Sequence, residues 1–421
     1  MTLPGGAVLF PCLAFAAAVT IPVTAAAFSL PRLASAAQCE SISGHERSFG
    51  GRRTFLLRGE RLERTKAARA SDPAVQAAIA DLVARADLAL ARRPGSVMDK
   101  KVIPPSGDQH DYISLAPYWW PDPANPRGPY VRRDGEVNPA RSTNRFDRTA
   151  LGRLVSDTET LALAYYYTDD SRYAAKAAAL ARTWFLDPAT RMNPNMNFAQ
   201  AVPGREDGRP EGVLDTSGFI AVIDAVGLIA PSGALTIPES QELEAWFGRY
   251  VDWMLTSPNG KGEQKARNNH GIWYDAQLAA FALFARRPDI AERTILAFPK
   301  ARIERQVDPS GALPAELART RSFHYSLYTL EPAYHVADLA ACLGYDLWNF
   351  TDAKGRSLRK ATDFVAAYRG APESWPHKEL EWPAAELEAL LTRAEAAWGH
   401  GAYPRAASRP ILLRYGPAPA R

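Results

Sequence analysis

The 421-residue sequence has only three cysteines and seven histidines, and it lacks the short motifs of the common catalytic sites. Cys12, Cys39 and Cys342 allow at most one pair once an N-terminal leader is removed, so a disulfide framework and a cysteine-based zinc site are excluded. No HExxH motif or EF-hand loop occurs, and we expect no metal and no other cofactor. Without GxSxG, Walker A or GxGxxG, the nucleophile-elbow, phosphate-loop and dinucleotide-binding classes have no support.

Runs of basic residues that would indicate nucleic-acid binding are also missing. The chain has 50 Lys and Arg against 46 Asp and Glu, a formal net charge of +4. With no nucleic-acid-binding module present, this mild excess favours an acidic small molecule or polymer as the partner. Apolar residues make up 47% of the chain, which is enough for the core of a large globular domain.

The N-terminal segment has the composition of an export signal. Residues 1–36 carry one charge, at Arg32, and an alanine-rich apolar run leads to small residues ending at Ala36. This pattern predicts a signal peptide at 1–36 and a periplasmic or secreted protein. Pro11 and Pro22 argue against a membrane span, so we expect no membrane partner.

From about Ser71 onward, apolar residues recur at helical spacing, and Pro, Gly or Asn separate the segments. The predicted helices after the one that starts near Ser71 are 148–167, 173–186, 216–229, 239–255, 270–286, 288–307, 328–343, 357–368 and 384–398. Period-2 runs typical of strands are scarce. The sequence therefore predicts an all-α fold, an incomplete (α/α) toroid of antiparallel helix hairpins over residues 71–421, after an N-terminal extension at 37–70. We expect a monomer.

Three long stretches interrupt the helical pattern, at 97–143, 187–215 and 309–325. Loops of this length in a compact domain are usually functional, and these are rich in Tyr, Trp, Asn and Arg. The first, "SGDQHDYISLAPYWWPDP", carries four aromatic residues beside a histidine. These side chains suit stacking on sugar rings, or else they pack beneath the loop. The residues concerned are His110, Tyr112, Tyr118, Trp119 and Trp120.

Two asparagines and a histidine in "KARNNHGIWYDAQ" stand where an apolar helix begins. Asn268 or Asn269 can cap that helix, but a cap explains only one of them. His270 falls in the first turn, where the helix dipole disfavours a cation, so we expect a neutral imidazole that can act as a base. A third stretch, "ELARTRSFHYSLYTLEP", crowds Arg319, Arg321, His324 and Tyr325 into a short segment. It is either a solvated basic turn beside a core tyrosine or part of an anion site.

Together these stretches resemble the alginate-lyase superfamily of helical-toroid polysaccharide lyases. The likeness runs from about Lys101 to Trp382, with "SGDQHDYISLAPYWWPDP", "NPNMNFAQAVPG", "NNHGIWYDAQ" and "ELARTRSFHYSLYTLEP" in that order. It is nearest to polysaccharide lyase family 38, with family 5 more distant. The resemblance implies a toroid lyase domain that cleaves a β-1,4-linked uronate polymer, alginate or glucuronan.

The resemblance also implies site residues. Asn269, His270, Arg319 and Tyr325 match the catalytic set of the family, with Arg321 as an alternative to Arg319 because the spacing to the tyrosine is one residue shorter than in family 5. The loops and their flanks supply substrate-binding candidates. These are His110, Tyr112, Tyr118, Trp119, Trp120, Asn195, Asn197, Gln200, Lys265, Arg321 and His324.

A lyase removes the proton at C5 of a uronate and expels the group at O4. The C5 proton is a very weak acid, so the adjacent carboxylate must first be neutralised, for which Asn269 and Arg319 are the candidates. In mannuronate and glucuronate this proton and O4 lie on the same side of the ring, and the elimination is syn. Tyr325 can serve as base and then as acid if His270 and an arginine lower its pKa. The alternative makes His270 the base and Tyr325 the acid.

Two other functions stay open at this stage. A glycoside hydrolase on the same toroid needs a pair of carboxylic acids across a cleft, and the sequence offers Asp111, Asp122, Asp275 and Glu316. A non-catalytic polysaccharide-binding protein needs only the aromatic loops. The mechanism does not choose between mannuronate and glucuronate, which differ at C2, nor between endo and exo cleavage.

Overall fold

A computed structural model describes residues 30–33, 39–399, 401–403 and 409–415, and helices dominate this part of the chain. The helices are α1 (Gly59–Ala68), α2 (Pro73–Ala91), α3 (Arg148–Thr168), α4 (Ser171–Ala181), α5 (Phe219–Ile229), α6 (Ile237–Thr256), α7 (Pro258–Gln264), α8 (Asn269–Phe284), α9 (Pro288–Phe298), α10 (Glu304–Gln306), α11 (Pro314–Leu317), α12 (Ser322–Cys342), α13 (Leu358–Ala366), α14 (Ala384–Trp398) and α15 (Arg409–Tyr415). Apart from residues 30–33, the predicted signal peptide lies outside the described residues.

Several helix starts follow from capping side chains in the sequence. Asp72 accepts hydrogen bonds from the first turn of α2, whose first residue is Pro73. Thr236 and Glu239 form a reciprocal capping box at the start of α6. Asp170 caps α4, so the short turn after α3 reverses the chain into an antiparallel hairpin, as its spacing predicted.

The helices pack as successive antiparallel neighbours, and the predicted all-α toroid is confirmed. Helix α3 packs on α2, α4 and α5, and α8 packs on α6, α9 and α12. Almost every residue of α8 is buried, which makes it an inner helix of the toroid. A cluster of aromatic rings, which includes Phe185, Trp246 and Phe247, fills the space between α6, α8 and the helical turn at Arg182–Leu186 that follows α4.

Two small strand pairs hold the long loops in place. Strand β1 (Ile113–Leu115) runs parallel to β4 (Phe198–Ala201), which joins the first loop to the second. Strand β2 (Trp119–Trp120) pairs antiparallel with β3 (Val131–Arg132) and forms a hairpin. These strands show no clear alternation of apolar and polar residues, because each has only two to four residues.

Residues 39–70 of the predicted N-terminal extension, 37–70, pack into the core. Phe55 is fully buried, and the guanidinium of Arg53 donates to the carbonyl oxygens of Leu283 and Phe284 at the end of α8. A disulfide joins Cys39 to Cys342 at the end of α12. This segment therefore belongs to the same folded unit as the toroid.

Candidate active site

A cavity of about 940 Å³ opens where the three long loops meet the N-terminal ends of α8 and α12. Its volume lies within the usual range for a small-molecule or cofactor site. Asn269, His270, Arg319 and Tyr325, which sequence similarity grouped as catalytic candidates, all line it. The fold thus brings together residues that are up to 56 positions apart in the sequence.

Asn269 is the first residue of α8 and is fully buried. Its backbone N–H donates to Oε1 of Glu316 over 2.6 Å, and its side-chain Nδ2 lies 3.1 Å from both carboxylate oxygens of Glu316. Neither Asn268 nor Asn269 caps α8 with its own side chain, in contrast to the simple capping interpretation. Glu316, on the short helix α11, takes that place, because an anion is stabilised at a helix N-terminus.

His270 is paired with a buried carboxylate. Its Nδ1 lies 2.6 Å from Oε1 of Glu263, whose side chain is 1% exposed, and Nε2 makes no hydrogen bond to the described residues. Burial lowers the pKa of His270, but the charge and hydrogen bond of Glu263 outweigh burial, and the net shift is upward. The expectation of a neutral imidazole rested on the helix dipole alone, and Glu263 acts in the opposite direction by raising the pKa of His270.

Arg319 is held between a carboxylate and an aromatic ring. Its Nη2 and Nε donate to Asp134 over 2.8 Å and 3.2 Å, and its guanidinium lies 3.8 Å from the ring centre of Tyr325. Burial alone raises the pKa of Asp134, but the bonds from Arg319 and Thr320 lower it to about 2. Because Asp134 follows β3, this pair fastens the β2–β3 hairpin to the loop that carries Arg319.

Tyr325 lies on the first turns of α12, and its hydroxyl forms a short hydrogen bond with the hydroxyl of Tyr118. Burial raises the pKa of Tyr325 well above its ordinary value, Tyr118 raises it further, and Arg319 offsets only part of the shift. The expected lowering of this pKa is therefore wrong for the protein without substrate, in which Tyr325 is a neutral phenol.

The cavity wall is rich in arginines, of which sequence reasoning had named only Arg132 and Arg319. They come from segments far apart in the chain and are Arg132, Arg141, Arg148, Arg209 and Arg267, in addition to Arg319. Buried Asp215 organises part of this wall, since it accepts hydrogen bonds from Arg141, Ser114 and Tyr112 over 2.8, 2.6 and 2.9 Å. Burial raises the pKa of Asp215, but Arg141 and Arg148 bring it down to about 2. The wall suits an anionic ligand.

Comparison with known proteins gives the family. The sequence model of the alginate lyase family matches residues 96–375, which is more than half of the chain. The chain belongs to the alginate lyase family. An alginate lyase from Bacteroides ovatus shares 38% identity and superimposes with a TM-score of 0.83, over 86% of this chain and 99% of that one.

More distant alginate lyases share the fold. The enzyme from Sphingomonas species A1 has a TM-score of 0.51 at 16% identity, over 80% of this chain and 94% of that one. A histidine-to-alanine variant of that enzyme was crystallised with a tetrasaccharide. An alginate lyase of Pseudomonas fluorescens (strain SBW25) is 30% identical over 141 residues, so the match covers 33% of this chain and 36% of that protein's length.

Four of the predicted substrate-binding residues of this alginate lyase family member line the cavity, namely Tyr118, Trp119, Gln200 and His324. Gln200 is a non-glycine residue with a φ of 51°, in the left-handed region. Its side chain donates to Asp215 and accepts from Arg209, and these bonds hold a backbone conformation that costs about 1–3 kcal/mol. His324 forms a hydrogen bond through Nδ1 with the carboxylate of Glu386, and its ring stacks on Tyr328.

The other predicted binding residues lie outside the cavity. Tyr112 has no exposed surface, because its hydroxyl is used to hold Asp215. His110 bonds the backbone oxygen of Arg191, and Trp120 donates to the backbone oxygen of Glu136. These side chains support the first loop instead of facing the cavity.

The two predicted asparagines of the second loop also have structural partners. Asn195 donates to buried Asp111, and Asn197 accepts from the indole of Trp253. Arg321 points toward Glu379, at 4.0 Å, and Lys265 lines a separate, neighbouring cavity. Of the two arginines proposed as alternatives, Arg319 lines the main cavity and Arg321 does not.

The carboxylates considered for a hydrolase do not form a pair across the cavity. Asp111 accepts from Asn193 and Asn195, and Asp275 is buried in an ion pair with Arg302 over 2.7 Å. Glu316 is buried beneath Asn269, and Asp122 accepts from the backbone N–H of Ala124. None of the four lines the cavity. The lining carboxylates that sequence reasoning missed include Glu263, which carries no recognisable local motif.

Proposed function

We propose that this chain is a polysaccharide lyase that cleaves a β-1,4-linked uronate polymer, such as mannuronate-rich alginate, by syn β-elimination. The observation that carries the proposal is the meeting of an amide, an imidazole, a guanidinium and a phenol in one arginine-rich cavity. Membership of the alginate lyase family and the Bacteroides ovatus relative point to the same chemistry.

Neutralisation of the substrate carboxylate is assigned to Arg319 and Asn269. Arg319 presents a planar donor group whose orientation is fixed by Asp134, and such groups match carboxylates in two-point hydrogen bonds. Glu316 fixes the position of the Asn269 amide. Both donors are in place before the substrate arrives, so little reorganisation is needed when negative charge develops on the enolate.

The electrostatics favour His270 as the base and Tyr325 as the acid. Glu263 holds Nδ1 of His270, which leaves Nε2 to accept the C5 proton, and the raised pKa makes the imidazole a stronger base. Tyr325 carries its proton in the free protein, so it can donate that proton to the departing O4. The alternative, with Tyr325 in both roles, requires bound substrate to lower its pKa.

The same cavity accommodates glucuronan as a second candidate substrate. Mannuronate and glucuronate share the arrangement at C4 and C5 and differ only at C2. Trp119, Gln200 and Arg209 also line the cavity, and contacts from such residues to ring hydroxyls decide between the two sugars.

The disulfide supports the proposal that the protein is exported. Disulfides persist in the periplasm and outside the cell and are rare in the cytosol. Cys39 lies three residues after the predicted cleavage site at Ala36, so it stays in the mature chain and can pair with Cys342. Detection of the mature protein in a periplasmic or culture fraction, with its N-terminus sequenced, tests this assignment.

A substrate panel tests the function. Polymannuronate, polyguluronate, glucuronan and hyaluronan are incubated with the protein, with and without a chelator, and the ultraviolet absorbance of the unsaturated uronate is recorded. We expect absorbance from polymannuronate or glucuronan, and no effect of the chelator. Activity confined to neutral polysaccharides would exclude the proposed lyase.

A further inference from the structure

A second cavity of about 520 Å³ lies on the other side of the segment that joins α7 to α8. The charged residues that line it are five cations and one carboxylate, a formal balance of +4 from 5 minus 1. They are Lys265, Arg267, Arg293, Arg302, Arg305 and Asp275. Nothing in the proposed elimination uses this surface, apart from Arg267, which also lines the main cavity.

The one carboxylate does not cancel the positive charge of the other cations, because it is already paired. Asp275 is bonded twice by Arg302, over 2.7 and 3.0 Å. The same guanidinium donates to the backbone oxygens of Ala266 and Gln264 over 2.8 and 2.9 Å, so it fixes the wall between the two cavities. Gly271 makes this approach possible, since a side-chain carbon there would collide with Arg302.

Three of the remaining cations are available to a ligand. Lys265, Arg267 and Arg305 are exposed, and within the described ranges no carboxylate forms an ion pair with them. Arg293 has only an exposed pair with Asp289, over 2.9 Å. Exposed ion pairs contribute little stability and exchange readily for an anionic ligand. The surface therefore carries positive charge that carboxylates of the described residues do not neutralise.

The two cavities are adjacent. Within segment 262–268, Glu263 and Asn268 line the main cavity, whereas Gln264 and Lys265 line the second one. Arg267 lines both, so the two cavities adjoin at this residue. A uronate polymer carries one carboxylate on every sugar, so the part of the chain that leaves the cleft presents further anions to this surface.

We propose that the second cavity is an additional subsite for the uronate polymer, occupied by sugars beyond those held in the main cavity. This inference rests on the proposed function, because it takes the same polymer as ligand. The subsite contributes to binding of long chains through charge contacts, and short oligosaccharides held within the main cavity do not reach it.

The test compares binding of polymannuronate and of a mannuronate tetrasaccharide by calorimetry, in a Tyr325→Phe background that prevents turnover. The double variant Lys265→Glu and Arg305→Glu reverses two of the unpaired charges. We expect about tenfold weaker binding of the polymer and a weaker dependence of its affinity on salt, with tetrasaccharide affinity unchanged. The matched control is the double variant Arg64→Glu and Arg153→Glu, two exposed charge reversals on α1 and α3 outside both cavities, for which both affinities should be unchanged.

Equal weakening of both ligands would overturn the subsite, because it would indicate a general effect of net charge. Unchanged polymer affinity in the double variant would overturn it as well. The readout is binding, so it separates the two proposals: a protein that binds the polymer through this surface but yields no unsaturated product keeps the subsite and loses the lyase assignment.

Discussion

Nδ1 of His270 lies 2.6 Å from Oε1 of Glu263, and the Glu263 side chain is almost completely buried. A carboxylate in this position fixes which imidazole nitrogen carries the proton, and it stabilises the imidazolium that forms when the other nitrogen accepts one. Glu263 therefore both orients the imidazole of His270 and makes it more basic. Burial raises the pKa of Tyr325, the proposed acid in the same cavity, and favours the protonated phenol.

Glu263→Gln removes the charge that raises the His270 pKa and leaves the shape of the side chain almost unchanged. His270 must be neutral to act as base, so kcat/KM rises as pH increases through a His270 pKa above 6.5. In the variant, burial lowers the His270 pKa without the opposing charge of Glu263. We therefore expect the rising limb of the pH–rate profile to shift to lower pH and its plateau to be lower. A pH–rate profile measures both.

Glu206→Gln is the matched control, because Glu206 is exposed on the second loop and does not line the cavity. Its profile should superimpose on that of the wild type. If the limb of Glu263→Gln does not move, His270 is not the base.

Arg319→Lys keeps the positive charge but loses the planar donor group that binds Asp134 at two points. We expect kcat to fall by about 10²–10³, the usual effect of removing one donor to a developing oxyanion. Arg321→Lys is the matched comparison, since Arg321 lies outside the cavity, and it should change kcat by less than about threefold. The reverse order of effects would place the carboxylate donor at Arg321.

Much of the helical framework could be predicted from the sequence, because apolar spacing and capping residues are local signals. The predicted start at His270 is one residue from the start of α8, and the prediction for 384–398 coincides with α14. Helix α12 begins at Ser322, six residues before the predicted 328. The polar "SFHY" segment carries no apolar periodicity, although its first turn is stabilised by Glu379, which accepts from the backbone of Phe323 and His324.

The site was only partly predictable for a related reason. Asn269, His270, Arg319 and Tyr325 stand in dense local motifs, whereas Arg141 and Arg209 reach the cavity from segments that are distant in the sequence. Glu263 is only seven residues before His270, but it lies on α7, outside those motifs. Tyr112 has the composition expected of a sugar-binding loop, but its hydroxyl holds Asp215. Only the tertiary structure distinguishes an aromatic ring that faces a ligand from one that supports the loop.

Asp215 makes stability depend on pH in the acidic range. Its pKa is about 2 in the folded protein against 3.8 as the ordinary value, so it binds a proton more readily when unfolded. Its contribution, on the order of 2 kcal/mol, is therefore complete above about pH 4 and is lost as pH falls toward 2. Urea unfolding between pH 2 and pH 6 measures this change.

Asp215→Asn should lower the free energy of unfolding at neutral pH by about 3 kcal/mol, because Arg141 loses its buried partner. It should also flatten the acid dependence. Asp207→Asn, at an exposed loop position, serves as control and should stay within about 0.5 kcal/mol of the wild type. An unchanged acid dependence in Asp215→Asn would assign the effect to another carboxylate.

The disulfide should stabilise the fold without affecting catalysis. It closes a loop of 303 residues and connects the N-terminal segment to the end of α12. We expect Cys39→Ser, or reduction of the wild type, to lower the free energy of unfolding by about 2–4 kcal/mol. The kcat of the folded variant should equal that of the wild type. A loss of kcat at temperatures where the variant is fully folded would contradict this separation.

The central claim is that the cavity performs an elimination, and the most direct measurement is the product formed from polymannuronate. Mass spectrometry and ultraviolet absorbance of the fragments are compared for the wild type and for Tyr325→Phe. We predict unsaturated uronates from the wild type, and a loss of at least about 10² in their rate of formation for the variant, which keeps the ring but lacks the proton donor. Fragments that carry an added water and no ultraviolet absorbance would contradict the account and indicate hydrolysis.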